Sequence, residues 1–151
     1  MAKTGSILDI LRVGIARETE ANVFYNLLSQ YVNNPDIVQI CKEFAAEELE
    51  HKANLELEVF KLGETTSKNS TITSKPLDYM VDLSKVMNLN YPDLLILAMA
   101  KEKEAFRFYI ELYSLTDKQE FREVLMEMAE EEARHKLRFE IQYDLYVSGK
   151  K

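Results

Sequence analysis

The sequence predicts an all-α protein, a four-helix bundle built from two antiparallel hairpins with one long crossover connection between them. Three observations carry this expectation. Apolar residues recur at alternating spacings of three and four along four segments, turn-forming residues separate those segments, and the second half of the chain repeats the first.

The first helix is expected over about residues 6–32, opened by Ser6 as an N-cap with Asp9 three residues on and closed by Asn33-Asn34-Pro35. Its inward stripe holds Leu11, Glu18, Ala21 and Tyr25. The second helix, about 35–62, starts with Asn34 as cap and Pro35 in the first turn, where a missing N–H costs nothing. Ile37, Cys41, Phe44, Glu48, His51, Leu55, Val59 and Leu62 form its stripe, and Gly63 is a natural stop. A crossover of about 63–91 follows, rich at first in Thr, Ser, Lys and Asn, with a short helical turn expected after Pro76 on Leu77, Met80 and Val81. The third helix, about 92–115, carries Leu95, Ala98, Glu102, Ala105, Tyr109 and Leu112. Thr116 with Gln119 resembles a capping box opening the fourth helix, about 117–147, whose stripe is Phe121, Leu125, Met128, Glu132, His135, Phe139, Gln142 and Tyr146.

Connection lengths turn these helices into a topology. The first two are joined by very few residues, as are the last two, so each pair is an antiparallel hairpin. The long connection can travel back along a helix of about 27 residues, which spans about 40 Å. An internal repeat agrees with this division. Residues 18–56 laid on 102–140 give thirteen identical pairs without a gap, including Glu18/Glu102, Phe24/Phe108, Tyr25/Tyr109, Glu48/Glu132 and His51/His135.

Composition narrows the function classes. A chain of 151 residues, 46% hydrophobic and 30% charged, suits one domain with a real core. A net charge of −7 argues against nonspecific binding to nucleic acid or an anionic membrane. No segment approaches the ~20 apolar residues of a membrane span, and no signal-peptide pattern is evident at the N-terminus, so a cytoplasmic location is expected. One cysteine, Cys41, excludes an internal disulfide and a Cys-x-x-Cys metal site; a buried structural thiol is its expected role.

The chemistry concentrates in two Glu-x-x-His motifs, Glu48 to His51 and Glu132 to His135, which use both histidines of the chain. Residues three apart lie on one helix face, so each pair can converge on a metal. Glu18 and Glu102 precede the two motifs at equal distance on the partner helix of each hairpin. Glu20 and Glu104 are rotated about 200° from them and are expected to face elsewhere. Four buried glutamates without compensation would be very unfavourable, since each ion loses several kcal/mol of hydration. Two divalent cations supply +4 against −4 and leave two neutral imidazoles to complete the set. Mixed carboxylate and imidazole ligation suits iron or manganese, and zinc can occupy it without redox chemistry.

A Glu from each of two helices plus a Glu-x-x-His from each of the others is the ligand pattern of ferritin-like di-iron bundles. With AAEELEH at 45–51, MAEEEARH at 128–135 and the E-x-E-A-x-x-F-Y pieces at 18–25 and 102–109, the chain resembles a rubrerythrin-type member of the ferritin-like di-iron carboxylate superfamily. The resemblance implies that Glu48 and Glu132 each bind a metal with their histidines, His51 and His135, while Glu18 and Glu102 complete or bridge the site. It also implies two iron ions as cofactor. Tyr25 and Tyr109 match family tyrosines that hydrogen-bond near the metals and are the candidate catalytic side chains, although packing alone would account for both.

Reaction with dioxygen or hydrogen peroxide follows from the resemblance, as a peroxidase or ferroxidase in oxidative-stress defence or iron handling. It also implies a homodimer. Alternatives are a di-iron oxygenase acting on an organic substrate and a non-catalytic, zinc-stabilised bundle. Two features depart from the family. Rubrerythrins add a rubredoxin-like domain with four cysteines, which this sequence lacks, so an external electron donor is expected. Ala105 stands where the family carries an extra glutamate associated with peroxidase chemistry. The six-ligand set is closer to bacterioferritin, but the polar crossover and the lack of an obvious fifth helix speak against a storage cage.

Overall fold

The computed structural model describes residues 2–63 and 88–149. Four helices account for nearly all of them: α1 Ala2–Tyr31, α2 Pro35–Lys61, α3 Tyr91–Leu115 and α4 Gln119–Val147. No strand occurs among the described residues. The expected turn at Leu77, Met80 and Val81 lies outside them, as does most of the crossover. The chain divides into two compact units, one containing α1 and α2 and the other α3 and α4. In each unit the two helices pack against one another, and the three-residue link between them enforces an antiparallel hairpin.

The first hairpin is built around the expected stripes. Leu11, Phe24, Tyr25 and Leu28 of α1 are buried, with Ile37, Ile40, Cys41, Phe44, Ala45, Leu55 and Val59 of α2. Asn34 caps α2: its side-chain oxygen accepts from the backbone N–H of Asp36 at 2.9 Å and of Ile37 at 3.3 Å. At the other end Gly63 has φ +80°, the left-handed conformation that glycine adopts without a Cβ penalty just past a helix. The first helix does not start at Ser6. Helix α1 already begins at Ala2, so Ser6 lies inside it, and local capping preference yields to continuation of the helix.

The second hairpin repeats the pattern with Leu95, Ala98, Phe108, Tyr109 and Leu112 on α3 and Phe121, Leu125, Met128, Ala129 and Phe139 on α4. Gln142 and Tyr146, expected on the inward stripe of α4, are half-buried and exposed, and the Tyr146 ring meets the Tyr91 ring at the start of α3 edge-on, with centres 5.2 Å apart. Helix α3 has an N-cap that the sequence reading passed over: Asn90 accepts from Asp93 N–H at 2.9 Å. The Thr116 capping box does not form. Thr116 ends α3, its hydroxyl accepts from Lys118 N–H at 3.3 Å, and α4 starts two residues later than expected, at Gln119, without a side-chain cap. Gln119 turns forward to Glu123 at 3.4 Å instead of back, so the reciprocal bond of a capping box is absent. Arg122 secures the link: its Nε donates to the Thr116 carbonyl at 2.7 Å and its guanidinium lies 4.7 Å from the centre of the Tyr113 ring.

Candidate metal centre

Each hairpin presents one carboxylate from its first helix and a carboxylate–imidazole pair from its second. In the first hairpin the His51 Nδ1 lies 3.2 Å from Glu48 Oε1 and 3.6 Å from Glu18 Oε2. In the second the His135 Nδ1 lies 3.2 Å from Glu132 Oε1 and 3.3 Å from Glu102 Oε2. The helical spacing of three sets the shorter contact, because residues one turn apart share a face. Antiparallel register within the hairpin sets the longer one, by bringing Glu18 level with His51 and Glu102 level with His135.

All six residues are buried, none more than 3% exposed. Within each triad one ligand atom from every residue lies within 4.8 Å of the others, close enough to share a cation. Glu18 shows what this costs without one. Burial is the largest influence on its carboxyl, and the nearby Glu48 carboxylate adds to it; together, against the opposing pull of His51, they push its pKa from an ordinary 4.5 up to about 8. Such a carboxyl holds its proton unless positive charge replaces it. A divalent cation is a fitting replacement, because the donors are hard carboxylate oxygens and imidazole nitrogens that iron, manganese and zinc all accept.

The remaining candidates are placed as follows. Tyr25 and Tyr109 are both 1% exposed and lie seven residues, two helical turns, beyond Glu18 and Glu102. The Tyr25 ring meets Phe24 and Phe44 edge-on, with ring centres 5.2 and 5.8 Å apart, and Tyr109 meets Phe108 at 5.3 Å. These contacts are packing interactions of the kind aromatic cores prefer. Cys41 is fully buried beside this cluster on the α2 stripe, and burial pushes its thiol up to about 12, the signature of an inert structural cysteine.

Glu104 is exposed and approaches Arg107 at 3.6 Å, as its rotation from Glu102 requires. Glu20 departs from its repeat partner: it is only 8% exposed, so α1 is buried over a broader arc than a single stripe. The sequence reading also missed Asn22, whose amide donates to the carbonyl of Ala45 at 2.8 Å and ties α1 to α2 next to the triad. Its signal was a mismatch in the repeat, since Phe106 occupies the equivalent place.

Comparisons with known proteins agree with this architecture. A comparison with curated proteins found no match. Among solved structures, the chain is similar to a dodecameric thioferritin, the bacterioferritin-related protein of Bacteroides fragilis, with a TM-score of 0.76 at 18% identity over 96% of this chain and 88% of that one. It is also similar to a ferritin-like diiron-carboxylate protein of Bacillus anthracis, with a TM-score of 0.73 at 16% identity over 95% and 99% of the two chains. The bacterioferritin of Desulfovibrio desulfuricans, a protein with a diiron site, gives a TM-score of 0.76 at 15% identity over 99% and 85%. At these identities the likeness establishes a ferritin-like fold and nothing finer. The family model described as Rubrerythrin matches residues 9–143, most of the sequence, and the chain therefore belongs to the rubrerythrin family.

Proposed function

We propose that the protein binds two iron ions through Glu18, Glu48, His51, Glu102, Glu132 and His135, and that the loaded protein reduces dioxygen or hydrogen peroxide. The observation that carries this reading is the recurrence, in both hairpins, of a buried triad with an imidazole Nδ1 3.2 Å from one carboxylate and within 3.6 Å of a second. Rubrerythrin family membership supplies the kind of metal chemistry. Bound iron supplies one-electron steps between ferrous and ferric states, for which a peroxide or dioxygen is a suitable acceptor.

The protein's own groups have defined parts. The four carboxylates neutralise the positive charge, and by changing how many oxygens they offer they can follow its increase on oxidation. The two imidazoles are neutral donors that keep the total charge balanced. Buried aliphatic and aromatic neighbours, among them Tyr25, Leu55, Tyr109 and Phe139, exclude bulk water from the region. Tyr25 and Tyr109 are assigned hydrogen-bonding roles near the ligands. We assign the supply of electrons for repeated turnover to an external donor. A cytoplasmic homodimer acting in peroxide defence or iron handling completes the reading.

The test is anaerobic loading with Fe(II) followed by addition of stoichiometric peroxide or air. Oxidation faster than that of free Fe(II), with the optical bands of an oxo-bridged ferric pair, is expected. Zinc as the bound metal in freshly purified protein, with no accelerated oxidation after iron loading, would move the assignment to a non-catalytic metal-stabilised bundle.

A further inference from the structure

The two triads are built on unequal supports. In the first hairpin, Asn22 stands one turn beyond Glu18 on α1, and its amide donates to the carbonyl of Ala45, one turn before Glu48 on α2, at 2.8 Å. Asn26 in turn donates to the Asn22 side-chain oxygen at 3.2 Å, which fixes the orientation of that amide. The Ala45 residue is itself buried and belongs to the same α2 stripe as Glu48 and His51. A hydrogen bond between two helices at this level resists sliding of one along the other. Such sliding is the motion that would change the 3.6 Å separation of Glu18 and His51.

The second hairpin has phenylalanine, Phe106, at the position equivalent to Asn22, and Ala129 at that equivalent to Ala45. A phenyl ring carries no donor, so Phe106, 37% exposed, can offer only apolar contact where Asn22 offers a hydrogen bond. Apolar contact is non-directional and permits small axial shifts that a directional hydrogen bond opposes. The repeat has thus kept the same triad in both halves while replacing the Asn22 donor of the first by the Phe106 ring of the second.

We infer that Asn22 is a positioning residue for the first triad, and that the two metal ions bind unequally, more tightly at Glu18, Glu48 and His51 than at Glu102, Glu132 and His135. The inference rests on the metal-binding reading proposed above. Groups that orient metal ligands without touching the metal typically change affinity by about 10- to 100-fold when removed, and an effect of that size is expected here.

The experiment is an anaerobic titration of the full chain with Co(II), followed by its visible absorption. The wild-type protein is expected to show two resolved steps, with His51→Ala removing the tighter and His135→Ala the weaker. Asn22→Leu, which keeps the volume and deletes the donor, should weaken the tight step by at least tenfold and leave the weak step unchanged. Asn22→Ala gives the same readout should the leucine disturb folding, which circular dichroism would reveal. Two steps of equal affinity, or a tight step that survives both Asn22 substitutions, would overturn this inference and leave the metal-binding reading intact. Absence of any Co(II) binding by the wild-type chain would overturn both.

Discussion

The two hairpins carry the same triad on different scaffolding. Ligand contacts agree to within 0.3 Å between the halves, 3.2 and 3.6 Å in the first against 3.2 and 3.3 Å in the second. Their surroundings do not agree. Cys41 and Phe44 of the first are matched by Leu125 and Met128 of the second, buried Glu20 by exposed Glu104, and Asn22 by Phe106. The links differ as well: Asn34 caps α2 with its side chain, whereas the second turn is held by Thr116 and the Arg122 guanidinium. Divergence has reached the packing, the caps, the outer faces and several surface charges, Glu50 against Arg134 among them, but not the two glutamates and one histidine of each triad. Packing can be exchanged at roughly constant volume, while a buried carboxylate or imidazole has no such substitute.

The most severe way to break the equivalence is to remove one imidazole at a time. His51→Ala and His135→Ala are each expected to cost about one of two bound metal equivalents, measured by elemental analysis after desalting. Loss of both ions from either single variant would show that the triads act only together.

Next in size is the contrast at the paired positions Cys41 and Leu125. With its thiol pushed from 9.0 to about 12, Cys41 should react with a thiol reagent roughly a thousandfold more slowly in the folded protein than in guanidinium. Comparable rates in the two states would contradict its burial.

A smaller effect follows from Glu18. Its carboxyl is held protonated in the fold up to about 8 but ionises near 4.5 once unfolded, so the metal-free folded state binds more protons across that window. Stability from this group is present in full below pH 4.5 and is lost as pH rises toward 8. Metal-free protein should therefore lose several degrees of Tm between pH 5 and pH 8 relative to Glu18→Gln, which lacks the titration. Equal pH profiles for the two would remove Glu18 as the cause.

The smallest expected difference concerns the links. Asn34→Ala should cost about 1 kcal/mol by leaving two helix N–H groups without their cap. Lys118→Ala, at an N-cap with no side-chain cap bond, should stay within about 0.5 kcal/mol. Urea midpoints of the two variants measure both.

Most of the architecture and both triads were legible in the sequence because helical periodicity, short connections and an offset repeat all constrain the same residues. Glu18 could be preferred to Glu20 since a stripe of period 3.6 separates them by more than half a turn. What escaped depends on physics outside the local pattern. The burial of Glu20 reflects how far α1 is covered, which no spacing rule encodes. The Thr116 box matched the motif but lost to the C-terminal geometry of α3 and the reach of Arg122. No local pattern marks Asn22, since its value depends on a carbonyl 23 residues away.

The central claim is that six buried side chains hold two metal ions, and its most direct test is anaerobic Fe(II) titration of the intact chain. Saturation near two ions per chain is expected, falling to near zero in the His51→Ala, His135→Ala double variant. A stoichiometry near zero for the unaltered protein, or one that the double variant leaves unchanged, would contradict it.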